Sequence, residues 1–192
     1  MNKLAKFGPG GNSELFSSSG YKSSLDAPAW VKKMGLDAYE YECGKGVNAS
    51  LETFAQIGLA AAALDVHMSL HAPYFISLSG VDPEKRLNSV NYIIQSLAAA
   101  KALGAGVIVV HAGSASKIDR KTALTYAADT IEKALQKSLD LGLDRAKIGL
   151  ETMGKVNQLG TLEEIVELCK MDSRLVPVVD FGHLYARSHG ED

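Results

Sequence analysis

The sequence predicts an α/β fold, a (β/α) TIM barrel present as about six of the eight βα units of a full barrel, and three observations carry this. Short apolar runs alternate with helical stretches along the chain, the arrangement that gives a parallel sheet with right-handed crossovers. Most of those runs are apolar on both alternating faces, as strands buried on both sides are. Histidines and carboxylates close four successive runs, and a barrel gathers such ends onto one rim where an open sheet would string them out. A complete barrel typically takes roughly 250 residues. The 192 residues here therefore read as one domain, 1–192, that is incomplete at its C-terminal side.

Each element follows from local chemistry. LAKFGP (4–9) is the first strand, and the FGPGGNSE stretch overlapping its end lacks the GxGxxG order of a dinucleotide site. APAWVKKMG reads as a helix, AYEYEC (38–43) as the second strand, and SLETFAQIGLAAAAL as a helix capped by Ser50. DVHMSLHAP (65–73) is the third strand. DPEKRLNSVNYIIQSLAAAKALG carries Pro83 in its first turn and stops at Gly104. GVIVVHAG (106–113) is the fourth strand, and DRKTALTYAADTIEKALQKSLDLG is a helix closing on Gly142. KIGLETM (147–153) is the fifth strand. Thr161 and Glu164 form a capping box at the head of TLEEIVELCKM. LVPVVDFGH (175–183) is the sixth strand, and ARSHGED reads as solvated loop, with no role for His189.

Composition excludes some classes. A net charge of −2 gives no electrostatic signal for nucleic acid, which usually favours a basic face, and counts mildly against such a partner, although bound metal ions could supply local positive charge. The N-terminus lacks the apolar segment of a signal peptide, and no apolar run approaches the ~20 residues of a membrane span. Cys43 and Cys169 stand far apart and read as reduced, partly buried thiols of a cytoplasmic protein.

The chemistry lies at the strand ends: His71 on the third, His111 on the fourth, Glu151 on the fifth, Asp180 and His183 on the sixth. Imidazole and carboxylate suit zinc or manganese, and a carboxylate can bridge two ions. A single strand-end histidine is more often a hydrogen-bonded structural residue. Five such groups on one rim, two of them carboxylates following apolar runs where an unpaired charge is costly, point to a metal site. His67 shares the parity of His71 but lies deeper and reads as structural. Tyr74 and Phe75 follow His71 on the loop above the rim, where they either cap the core or meet a ligand.

HAPYFISL, VIVVHAGS, IGLETMGKVNQLGTLEEI and VVDFGHLYARSHGED occur in this order, and AYEYECGKGVN stands ahead of them. Together they resemble the motifs of endonuclease IV, the apurinic/apyrimidinic endonuclease family of the xylose-isomerase-like TIM barrels. The resemblance covers nearly the whole chain. It implies zinc-dependent hydrolysis of the phosphodiester 5′ to an abasic site in double-stranded DNA, with up to three zinc ions. His71 and His111 would hold one ion, Glu151 would bridge it to a second held by Asp180, and His183 would begin a third site. Tyr74 and Phe75 would wedge into DNA, and Lys45 would contact phosphate.

Two departures stand out. The family's Glu-Asn-Thr-Ala-Gly run is Glu151-Thr152-Met153-Gly154 here, which keeps the carboxylate and loses the Asn. Four further ligands of the family, a His, an Asp-x-His pair and a late Glu, belong beyond the sixth strand. Two other readings stand beside the nuclease. One is a divalent-metal sugar isomerase or epimerase of the same barrel group. The other is a partial barrel that binds metal without turnover and could self-associate through open sheet edges.

Overall fold

Alternate strand residues face opposite sides of a sheet, and this parity organises the molecule. The computed structural model describes residues 4–190. Five parallel strands run in sequence order: β1 (Ala38–Glu42), β2 (His67–His71), β3 (Val107–His111), β4 (Lys147–Glu151) and β5 (Leu175–Val178). Between them lie α3 (Leu51–Ala63), α4 (Pro83–Leu103), α5 (Arg120–Asp140) and α6 (Leu162–Cys169). An all-parallel sheet in strict sequence order, with a helix in every crossover, is the arc of a partial (β/α) barrel.

Register fixes the two faces. Leu70 pairs with Ile108, Ile108 with Ile148, and Val110 with Leu150, and all five of these side chains are buried. They share one buried apolar cluster with Phe54, Ile57, Ile93, Leu97, Ala127, Ile131 and Ile165 of the surrounding helices. On the opposite parity Glu42 pairs with His71, His111 with Glu151, and Glu151 with Val178. The last inward residues of the first four strands are thus Glu42, His71, His111 and Glu151.

Helix ends follow sequence chemistry. Ser50, Asp82, Asp119 and Thr161 each accept an N-terminal backbone N–H of α3, α4, α5 and α6. At α6 the capping box is complete, with Glu164 Oε2 accepting from the Thr161 backbone at 3.0 Å. Gly104, in the left-handed conformation at φ 72°, ends α4.

The sheet departs from the sequence reading at both edges. Residues 4–9 form no strand. Their neighbourhood runs along β1 through hydrogen bonds from Ala38 N–H to Phe7 O and from Glu40 N–H to Pro9 O, with a single bridge at Gly10. Pro9 has no N–H to give and the adjacent glycines favour no extended pairing, so a regular ladder fails. Among the described residues the sheet has five strands rather than six. The last strand stops at Val178 instead of running to residue 183. Pro177 is tolerated there because β5 is the sheet's edge among the described residues. Residues beyond it form α7 (Phe181–Ser188), so the first three residues of the predicted solvated tail, Ala186 to Ser188, are helical, while residues 191–192 lie outside the described residues.

α1 (Glu14–Ser18) and a 3-10 turn at Ser24–Asp26, neither expected from the sequence, precede the expected helix α2 (Ala27–Lys33). Cys43 is buried and Cys169 half-buried, and both are free. No helix of the described residues is long and apolar enough to cross a membrane.

Replacing Thr161 by Ala removes the side-chain half of the capping box. The variant is expected to lose about 1 kcal/mol of unfolding free energy, read as a lower urea midpoint at unchanged slope.

Candidate metal centre

An ionised carboxylate at the end of an apolar strand must find compensation. Glu151 is 7% exposed, as is His71. The Glu151 Oε2 atom lies 3.0 Å from His111 Nε2 and 3.4 Å from His71 Nε2. That buried oxygen has no hydrogen-bond partner in this structure. Close approach without a hydrogen bond is what donor atoms sharing a cation show. Two donors ~2.0–2.1 Å from one tetrahedral ion stand roughly 3.3 Å apart, and the observed separations bracket this. One atom from each of His71, His111 and Glu151 falls within 4.8 Å of the others, so the side chains present fit a divalent ion.

His71 is oriented for such a role. Its Nδ1–H donates to the Ala72 carbonyl at 2.8 Å, which leaves the Nε2 lone pair aimed into the rim. Tyr74 stacks beside the cluster, its ring centroid 5.6 Å from His111 at 22° and 5.0 Å from His71 at 63°.

Asp180 and His183 arrive by a different route from the one read in the sequence. They belong to α7 rather than to a strand. Asp180 is the N-cap, its Oδ1 accepting the His183 backbone N–H at 2.8 Å. Their tie to Glu151 is Thr152, the residue that stands where the resemblance expects Asn. Thr152 is fully buried. Its N–H donates to Val178 O, its hydroxyl accepts from the Asp180 N–H, and its carbonyl accepts from His183 Nδ1 at 2.9 Å.

With Nδ1 of His183 committed to that carbonyl, its Nε2 is the nitrogen free to bind. Atoms of Glu151, Asp180 and His183 also fall within 4.8 Å of one another. The His183 Nδ1 lies 3.8 Å from Glu151 Oε1 and 3.5 Å from Asp180 Oδ2. Glu151, Asp180 and His183 are thus a second group whose donor atoms could hold an ion. Arg187 of α7 locks this arrangement by donating to the carbonyls of Met153 and Lys155 in the loop after β4.

The other expected residues are less tightly drawn in. Tyr74 and Phe75 are 56% and 49% exposed, and Phe75 packs on Tyr92. Lys45 is exposed and lines a groove of ≈ 620 Å³ with Asn12, Glu42 and Tyr74. His67, expected deep in the barrel, instead stands exposed at the start of β2, 4.0 Å from Asp65. Glu42 and Thr152 were not singled out from the sequence. The signal for Glu42 was available: it ends its strand on the same parity as His71.

Burial raises the Glu151 pKa, but the His111 and His71 rings outweigh it and hold the carboxyl down at about 2. Burial lowers that of His71, and Glu151 together with the Ala72 carbonyl overcomes it, lifting the imidazole to about 9. In the metal-free protein His71 thus contributes stability that is full below its ordinary 6.5 and lost as pH rises through about 9. Glu151 contributes stability present above its ordinary 4.5 and lost as pH falls through about 2. Denaturation of chelator-treated protein should show stability falling between pH 6.5 and 9, with the fall abolished in His71→Asn. Because His71 must shed its proton to become a ligand, zinc titrated calorimetrically at neutral pH should release close to one proton per first ion, measured in buffers of different ionisation enthalpy.

Comparison with known proteins bears on this arrangement. The family model for the xylose isomerase-like TIM barrel matches residues 28–192. An uncharacterized protein of Methanocaldococcus jannaschii is 32% identical over 160 residues, 83% of this chain and 57% of that protein. A probable endonuclease 4 of Acholeplasma laidlawii is 33% identical over 101 residues, 52% of this chain and 33% of its own. Among solved structures, endonuclease IV from Thermus thermophilus superposes with a TM-score of 0.67 at 26% identity, covering 90% of this chain and 64% of that one. D-psicose 3-epimerase from Clostridium cellulolyticum superposes at 0.70 and 16% identity, covering 85% of this chain and 60% of that one, a likeness of fold. The chain thus spans less than two thirds of the length of each of these proteins. Five parallel strands with a histidine–carboxylate rim and a match over residues 28–192 lead to one conclusion: the chain belongs to the xylose isomerase-like TIM barrel family.

Proposed function

We propose that this chain carries the metal-binding rim of an endonuclease IV-like phosphodiester hydrolase of DNA repair, acting in the cytoplasm on double-stranded DNA at abasic sites. The observation that carries the reading is the buried Glu151 oxygen with two imidazole nitrogens beside it and no hydrogen bond. In this reading His71, His111 and Glu151 hold a first zinc, with manganese as the substitute. Asp180 with Glu151 would hold a second ion, and His183 would contribute to a third through its free nitrogen. Such ions supply Lewis acidity to a phosphoryl oxygen and stabilise a leaving alkoxide.

The chain's own residues bind and orient. Glu151 keeps its charge at neutral pH and so remains a ligand. Thr152 holds Asp180 and His183 in register with it. Exposed Tyr74 and Phe75 offer aromatic faces to DNA beside the site, and Lys45 offers a cation to phosphate. The likeness to probable endonucleases 4 supports this substrate class. The net charge of −2 is compatible with DNA if the ions provide the positive charge at the rim.

A sugar epimerase is the second reading, favoured by one observation. The groove beside the rim is lined by Asn12, Glu42 and Asn48, groups suited to sugar hydroxyls.

With zinc present, the protein is expected to cut an abasic-site duplex on the 5′ side of the lesion. Glu151→Gln should weaken zinc retention on the order of 100-fold or more, since even outer-shell changes cost 10–100-fold, and should abolish the cut. An intact abasic duplex together with metal-dependent epimerisation of a ketohexose would overturn the nuclease in favour of the epimerase. Undiminished zinc retention in Glu151→Gln would overturn the ligand assignment.

A further inference from the structure

The rim residue with no part in the nuclease reading is Glu42. It ends β1 in register with His71, and its Oε2 accepts a hydrogen bond from the Tyr74 hydroxyl at 3.0 Å. Tyr74 in turn lies against both imidazoles of the candidate centre, stacked on His111 and edge-on to His71. The chain has made room for this pair on either side. A Cβ at Gly11, whose φ is +67°, would come within 2.9 Å of Glu42 Cγ. A Cβ at Gly44 would collide with the Tyr74 ring. The two side chains sit in a cradle that only glycines permit.

We propose that Glu42 is a positioning residue: by holding Tyr74 against His111 and His71, it sets the ring orientations with which the two imidazoles receive the first ion. A tyrosine half out in solvent has several staggered side-chain positions open to it. Only an anchored hydroxyl keeps its ring stacked at a fixed angle on His111. Metal-site imidazoles are commonly oriented by outer partners. His71 has such a partner in the Ala72 carbonyl. No hydrogen bond from the Nδ1 of His111 is found among the described residues, so the packed ring of Tyr74 is what restrains it.

This inference rests on the reading of His71, His111 and Glu151 as an ion site, and the test separates the two. In metal-free protein, the ring-proton NMR signals of His111 report the ring current of Tyr74. Glu42→Ala should shift them toward their positions in Tyr74→Ala, whereas Glu42→Gln, which keeps an acceptor oxygen, should leave them in place. Cobalt(II) titrations followed by absorption should then show Glu42→Ala and Tyr74→Phe each binding 10–100-fold more weakly, the size of an outer-shell effect. The double variant should bind no more weakly than either single one, and Glu42→Gln should bind like wild type.

Unmoved His111 signals in Glu42→Ala, additive losses in the double variant, or a loss in Glu42→Gln equal to that in Glu42→Ala would each overturn the proposal. The last would show that charge rather than placement matters. His111→Asn is titrated in parallel. Affinity equal to wild type in that variant would overturn the ion-site reading instead. Weakened binding there with unchanged Glu42→Ala would overturn only the role of Glu42.

Discussion

The architecture of the rim depends on one buried charge. Glu151 sits at the end of β4 with 7% of its surface exposed, and its carboxyl stays ionised down to about pH 2. An uncompensated carboxylate in such a place costs several kcal/mol. In the metal-free molecule the compensation is a protonated His71 with His111 beside it. In the proposed holo form an ion takes the place of that proton. The two states are alternatives for one gap among the same three side chains, so metal binding and proton release are a single event.

Everything near Glu151 serves to hold that gap open and fixed. Strand register brings His111 level with it and sets His71 on the same face of the adjoining strand. The next residue, Thr152, uses its N–H, hydroxyl and carbonyl to draw in Val178, Asp180 and His183. Beyond it, the loop after β4 is gripped by two arginines. Arg187 donates to its carbonyls, and Arg120 donates to Val156 O and Gln158 O while pairing with Glu164 at 2.7 Å. Asp180 heads the helix that carries Arg187, so moving it away from the rim would break that arginine's charge-assisted bonds to the loop.

Much of this was legible in the sequence, and the reasons differ by residue. His71, His111 and Glu151 announced themselves because each is polar at the end of an apolar run, a position that only a rim site explains economically. Helix boundaries were equally plain, since Ser50, Asp82, Asp119 and Thr161 cap by local chemistry that needs no tertiary context. The last unit misled only as to where the strand ends, because residues 179–183 follow an apolar run, whereas the Asp180–His183 spacing is that of an N-cap and its third helical residue. Residues 4–9 misled because apolar content cannot reveal that Pro9 and its glycines break a ladder. Glu42 and Thr152 were hidden for another reason: what matters about them is which neighbours they touch, and pairing between strands far apart in sequence is not written in either strand alone.

The central claim is that the side chains of His71, His111 and Glu151 close around a divalent ion. Anomalous diffraction at the zinc edge, from crystals of the protein grown with zinc, tests it most directly. A peak among the two Nε2 atoms and the Glu151 carboxylate is the predicted result. Zinc density elsewhere on the chain, with the Glu151 carboxylate instead satisfied by hydrogen bonds or water, would contradict it.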